Sequence, residues 1–176
     1  MHVALFGRWT IFAALALAAA GPAAQAQSVK ADLKSKGGQP AGSVSITSAA
    51  SGVLLTLKAE GLAPGPHAVR FHETGKCDGD FSSAGGIYNP LGAEHGLLSE
   101  TGPMAGDLPN VVAGADGKVE AEILSPFVHL GKDDDTTLTD EDGSALLIFE
   151  KADDHLTAPD GGAGAAVACG ALADAP

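Results

Sequence analysis

Apolar and polar residues alternate with a period of two along most of this chain, in short runs separated by glycine-rich turns. The clearest run is Gly52 to Glu60, where Val53, Leu55, Leu57 and Ala59 share one face and Leu54, Thr56 and Lys58 the other. Lys118 to Leu124 repeats the pattern, with Val119, Ala121 and Ile123 on one side and Glu120 and Glu122 opposite. Successive side chains of a strand point to opposite faces, so the pattern predicts strands with one face in a core and one in water. The same signal places strands at Val29–Lys36, Ser43–Ser48, Val53–Ala59, His67–Glu73, Asn110–Ala113, Lys118–Leu124, Ala145–Glu150 and Ala165–Ala171. Eight strands with no helical period predict an all-β sandwich or flattened barrel. Three connections are long for such a fold: Thr74 to Pro109, Ser125 to Gly143 and Lys151 to Gly164. Long ordered loops are either functional or strapped down.

The first 26 residues break the pattern. A positive start at Arg8, an apolar run from Ile11 to Ala20 and a small-residue exit at Ala24-Gln25-Ala26 form a secretory signal, with cleavage expected before Gln27. One domain of residues 27–176 is left, expected in the periplasm or secreted. The apolar run is shorter than the roughly 20 residues that a membrane span needs. Removing Arg8 leaves nine Lys and Arg against 22 Asp and Glu, a net charge of −13. Nucleic acid and anionic lipid are both bound through basic side chains, so neither is an expected partner. Asp133-Asp134-Asp135 and Asp140-Glu141-Asp142 in the second long loop read as solvated surface. The only tryptophan, Trp9, leaves with the signal, so the core is built from aliphatic residues and Phe71, Phe81, Phe127 and Phe149. The two cysteines, Cys77 and Cys169, read as one disulfide in an oxidising compartment, or as two free buried thiols.

A series of motifs in order carries more information. G-L-x-P-G-x-H lies at Gly61 to His67, S-A-G-G-x-x-N-P at Ser83 to Pro90, and A-G-D-L-P-N at Ala105 to Asn110. K-A-D-D follows at Lys151 to Asp154 and A-C-G at Ala168 to Gly170. Together they resemble the copper/zinc superoxide dismutases over roughly Val29 to Leu172. The resemblance implies an eight-stranded Greek-key flattened β-barrel with long loops, and both cysteines stand where that family has its disulfide.

The resemblance also implies where metals would be held, through four imidazoles for copper, three imidazoles and a carboxylate for zinc, and one imidazole shared. His72, His95 and Asp107 stand at three of those seven positions as the family has them. The other four are Arg70 and Phe149 on the copper side, Ile87 at the bridging position and Met104 at a zinc position. The family's substrate-guiding arginine falls on Ala166, and its carboxylate that orients metal-bound imidazoles on Asp153. One imidazole does not hold copper for redox cycling, and an arginine is a fixed positive charge in its place. Copper is therefore not expected. Zinc remains an option at His95 and Asp107 with His155 as a third donor, since tetrahedral zinc takes nitrogen and oxygen ligands. No cofactor at all is the first expectation. His72 is expected on the outer face of the barrel as a hydrogen-bonded structural residue, and His67 and His129 are structural. Met104 and Phe149 are expected to fill the former cavity with apolar atoms.

Three functions follow. The first is a domain that has lost dismutase catalysis and serves as a scaffold or binding module for a protein or small molecule. The second is a divergent dismutase, and the third a zinc protein without redox chemistry. A homodimer fits any of them. Arg70 has two readings as well: an internal cation bridging Asp107 and Asp153, or a side chain turned into solvent.

Overall fold

The computed structural model describes residues 26–131 and 135–172. The leader read at residues 1–26 lies outside them except for Ala26, as do Asp133, Asp134 and the last four residues. Among the described residues no helix is long and apolar enough to cross a membrane.

Among the described residues nine strands form in chain order: β1 Ser28–Ser35, β2 Pro40–Ala49, β3 Gly52–Ala59, β4 Gly65–His67, β5 Val69–His72, β6 Val111–Ala113, β7 Val119–Ser125, β8 Ser144–Phe149 and β9 Ala166–Leu172. Seven make one antiparallel sheet in the order β5-β8-β9-β1-β2-β3-β7, and β4 pairs with β6. Neighbours that are distant in sequence, such as β1 with β9 and β3 with β7, are the Greek-key crossings. The alternation read from β3 is the register found. Leu55 faces Ile46 on one side and Ile123 on the other, Leu57 faces Val44 and Ala121, and both leucines are wholly buried.

The run expected as one strand from His67 to Glu73 is two. At Ala68 the chain stops pairing with β6, and its amide instead donates to the Lys151 carbonyl, while the Phe149 amide donates to the Ala68 carbonyl. The kink joins β5 to β8 in the main sheet, with Arg70 opposite Leu147 and His72 opposite Ala145.

β8 is buried at every position, which simple alternation did not predict. Leu146 and Ile148 enter the main core with Val69 and Phe71 of β5. Ala145, Leu147 and Phe149 face the other way, into a second apolar cluster with Ala68, Phe81, Ala84, Ala163 and Cys169. That cluster exists because the long loops lie over the outer face of β5 and β8. Arg70 and His72 share this covered face. His72 thus stands on the outer face with a hydrogen bond, as expected, and the loops that cover this face leave it 8 % exposed.

Two features hold the first loop down. Cys77 in the loop is bonded to Cys169 in β9, across 92 residues of sequence. The free edge of β5 is also paired with loop backbone: the Phe71 amide donates to Gly106, the Tyr88 amide to Phe71 and the Gly106 amide to Tyr88, at 2.8–2.9 Å. Gly106 is needed there, since a Cβ on it would lie 2.4 Å from the Phe71 carbonyl oxygen.

A disulfide closing a loop of this length is worth about 4–5 kcal/mol on the chain-entropy account. Thiol titration of the purified chain under denaturing, non-reducing conditions should find no reactive thiol. After reduction the denaturant midpoint should fall. Two reactive thiols before reduction would contradict the bond.

Candidate metal centre

β5 is the base of the site. Its alternation sends Val69 and Phe71 into the main core and Arg70 and His72 under the loops. The edge pairing sets Asp107 beside Arg70 and Ile87 beside His72 as isolated bridges. From the far side, the loop after β8 brings Asp153, His155, Asp160 and Gly161.

Arg70 is 1 % exposed. Its Nε and Nη2 donate to Asp153 Oδ2 at 3.2 and 2.8 Å, and Nη2 also donates to the Asp160 carbonyl at 2.5 Å. The guanidinium carbon lies 4.7 Å from the centre of the Phe149 ring, a cation–π contact. The other oxygen of Asp153, Oδ1, accepts the His155 amide at 2.6 Å and faces His95 Nε2 at 3.2 Å. His95 Nδ1 faces Asp107 Oδ1 at 2.8 Å, and Asp107 Oδ2 accepts the amides of Gly96 and Met104 at 2.8 and 3.0 Å. The result is a buried chain, Arg70–Asp153–His95–Asp107. Burial by itself would raise the Asp153 pKa, but the His155 amide, the Arg70 guanidinium and His95 together hold it below the usual carboxylate range.

Sequence reasoning expected Arg70 either to bridge Asp107 and Asp153 or to turn outward. The solvent reading is overturned by burial. The bridge is half correct: Arg70 holds Asp153 directly, and Asp107 is reached through His95. His155 was expected as a third zinc donor, and it is not placed as one. Its Nε2 accepts from Asn110 Nδ2 at 3.1 Å, and its Nδ1 is 3.8 Å from Asp153. The third member of the cluster is Asp153: ligand atoms of His95, Asp107 and Asp153 lie within 4.8 Å of one another.

Three functional positions had no sequence signal strong enough to single them out. Asn110 clamps the Asp153 backbone, donating to its carbonyl and accepting its amide, both at 2.8 Å. Asp160 contributes only a carbonyl. Gly161 contributes the absence of a side chain: with φ +58, a Cβ there would lie 1.8 Å from Asp153 Oδ1 and 3.1 Å from His95 Nε2. Asn110 closes the A-G-D-L-P-N motif, which was the one available hint. The expected structural histidines are placed as such. His67 spans the carbonyls of Ala63 and Phe149 at 2.7 and 2.6 Å, and His129 Nδ1 is 3.0 Å from the Thr136 hydroxyl.

Arg70 and Phe149 stand at two positions that the sequence resemblance assigns to copper imidazoles. His72 Nδ1 donates to the Gly85 carbonyl at 2.9 Å, leaving Nε2 buried without a hydrogen-bond partner. Its ring stacks on Phe149 with centroids 5.8 Å apart. Burial first, and the charge of Arg70 as well, lower the His72 pKa. One imidazole beside a guanidinium does not fit copper. On the zinc side, His95 and Asp107 stand at hydrogen-bond distance, closer than the about 3.3 Å that separates two donors on a tetrahedral zinc with bonds near 2.0 Å. Asp153 lies against the opposite edge of the same ring. Ile87 offers no donor, and Met104 and Phe149 supply apolar bulk, Met104 half-buried and Phe149 buried. Ala166, where the resemblance places the guiding arginine, is half-buried and carries no charge.

The sequence model of the copper/zinc superoxide dismutases (SODC) matches residues 40–172. A superoxide dismutase [Cu-Zn] of Caulobacter vibrioides is 47 % identical over 148 residues, which cover 82 % of this chain and 85 % of that protein. The superoxide dismutase-like protein YojM of Bacillus subtilis is 48 % identical over 124 residues, 69 % of this chain and 63 % of that one. Among solved structures, a SOD-like protein from Bacillus subtilis superposes with a TM-score of 0.79 at 42 % identity, covering 81 % of this chain and 97 % of that chain. With the fold, the motif order and this match across its length in agreement, the chain belongs to the copper/zinc superoxide dismutase family.

Proposed function

We propose that this protein is an exported superoxide dismutase-like domain that does not dismute superoxide and serves as a non-enzymatic scaffold or binding module. One observation carries the reading: a buried, fixed-charge guanidinium stands in the place of the first copper imidazole, over a phenylalanine in the place of the last. At an effective dielectric of about 20, a positive charge roughly 4 Å from a dication costs on the order of 8 kcal/mol, before Asp153 offsets part of it. Too few imidazoles remain to recover that cost. The guiding charge is missing as well, so nothing at Ala166 draws in a small anion. Export is supported by the leader sequence and by a disulfide, which persists in oxidising compartments.

Metal analysis by mass spectrometry and a dismutase assay on the same purified sample test the reading. Copper should stay well below one equivalent and activity should not exceed a free-metal background. Copper near one equivalent with activity that tracks it would overturn the proposal. Zinc near one equivalent without activity would select the zinc reading instead, and would require the 2.8 Å contact between His95 and Asp107 to open.

The substitution Arg70→His should restore no activity, because Ile87 and Phe149 still withhold two imidazoles. A copper-dependent rate in that variant would show that the site is closer to intact than the ligand tally says. The mature chain from an exporting host should begin at Gln27 by intact mass. A chain that retains Met1 in the cytoplasmic fraction would contradict export.

A further inference from the structure

The loop regions read from the sequence as Thr74 to Pro109 and Lys151 to Gly164 carry almost no regular structure, yet their backbones converge on one small volume beside β5. Irregular segments of this length need a fixed anchor to stay ordered. The disulfide secures only the beginning of the first, at Cys77. The remainder of the first loop and the turn of the second have no covalent tie. They share the ionic chain.

That chain links three separate elements. Arg70 is on β5, Asp153 and the Asp160 carbonyl are on the second loop, and His95 and Asp107 are on the first. The four side chains are between 1 % and 4 % exposed, so water screens their interactions little. Each carboxylate also fixes backbone. Asp107 takes the amides of Gly96 and Met104, and Asp153 takes that of His155. The backbone at Gly161 lies directly over Asp153 and His95, in space that no side chain could share.

We infer that Arg70 is a built-in clasp that orders both loops without any metal ion. This rests on the reading above that Arg70 and Phe149 exclude copper, and on His95 and Asp107 standing too close together to be two donors on one zinc. The chemistry of the guanidinium suits the task. It is charged at every relevant pH, and its planar fork holds the Asp153 carboxylate and the Asp160 carbonyl at once in a fixed relative direction. A lysine would supply the charge without the fork. The clasp therefore acts through geometry as well as through neutralisation, and Arg70→Lys separates the two.

Amide hydrogen exchange on the full mature chain, followed by mass spectrometry, reads the order of each loop separately. Five samples are compared with the untreated protein: the same protein after incubation with a chelator, the Arg70→Met and Arg70→Lys variants, and Asp153→Asn alone and combined with Arg70→Met. The chelator should leave exchange unchanged. Arg70→Met should speed exchange about tenfold or more around residues 94–108 and 151–162 while β2 and β3 keep their protection, as expected when local opening loses its restraint. Asp153→Asn should give a similar increase, and the double variant little more than either, because both remove one interaction. Arg70→Lys should fall between. Should Arg70→Met fail to fold, Gly161→Ala carries the same test by pushing the loop off the pair without changing any charge.

The failures are distinct. Faster exchange with chelator, together with metal in the untreated sample, overturns the metal-free reading itself. An inert chelator with unchanged loop exchange in Arg70→Met, or in Gly161→Ala, overturns the clasp and leaves the loss of dismutase activity standing.

Discussion

The ionic chain that joins both loops to the sheet turns on one ion pair, Arg70 with Asp153, formed between the covered face of β5 and the loop after β8. A buried ion pair is weak grounds for claiming stability, because two charges lose their water, and apolar replacements of the same shape are often as stable. The cost of separating the pair is another matter, about 3–5 kcal/mol when one partner is left buried alone. Its contribution here is direction more than net energy. A guanidinium with two acceptors on one segment and a carboxylate with a donor on either side permit one arrangement of the segments that carry them.

The site can be buried because β5 and β8 have no solvent face. In most of the sheet, inward residues meet the core and outward ones meet water, as with Lys58 and Glu120 on β3 and β7. Under the loops the outward face becomes a second interior, made of Leu147, Phe149, Phe81 and Cys169. A polar residue on such a face must be fully hydrogen-bonded or contribute a cost of several kcal/mol. Arg70 meets the condition through Asp153 and Asp160, and His95 through two carboxylates. His72 meets it at one nitrogen and leaves the other bare. That bare nitrogen is the clearest remnant of a site built for something else.

Much of this was legible in the sequence, for identifiable reasons. Period-two alternation located the core positions of β3 and β7 because one face of those strands is in water. It could not separate β4 from β5, since the run from His67 to Glu73 alternates across Ala68 and the break is made by backbone hydrogen bonds to residues some 80 positions away. It also could not show that His72 and all of β8 are covered, because the cover is loop backbone with no periodicity of its own. The replaced ligand positions were readable one by one. Their new partners were not, since Asp160 acts through a carbonyl and Gly161 through having no side chain. Asp153 was recognised as a carboxylate in need of a partner, and the choice between Arg70 and solvent needed coordinates.

The retained acidic positions have their own explanation in the same physics. Asp107 and Asp153 are usually noticed for metal chemistry, but three of the hydrogen bonds that they accept come from backbone amides of Gly96, Met104 and His155, none of which a metal would satisfy. Exchanging either carboxylate for an apolar residue would strand those amides in a dry pocket, at about 1–3 kcal/mol each. The carboxylates are thus held in place by loop architecture even when the imidazoles opposite them are gone. Their negative charge then has to be matched from within the chain, and the copper position on β5 already points at Asp153 from the correct side. An arginine in that position supplies the match in one substitution. In this chain the A-G-D-L-P-N and K-A-D-D motifs therefore report how the loops are built, while the metal chemistry has to be judged from the residues between them.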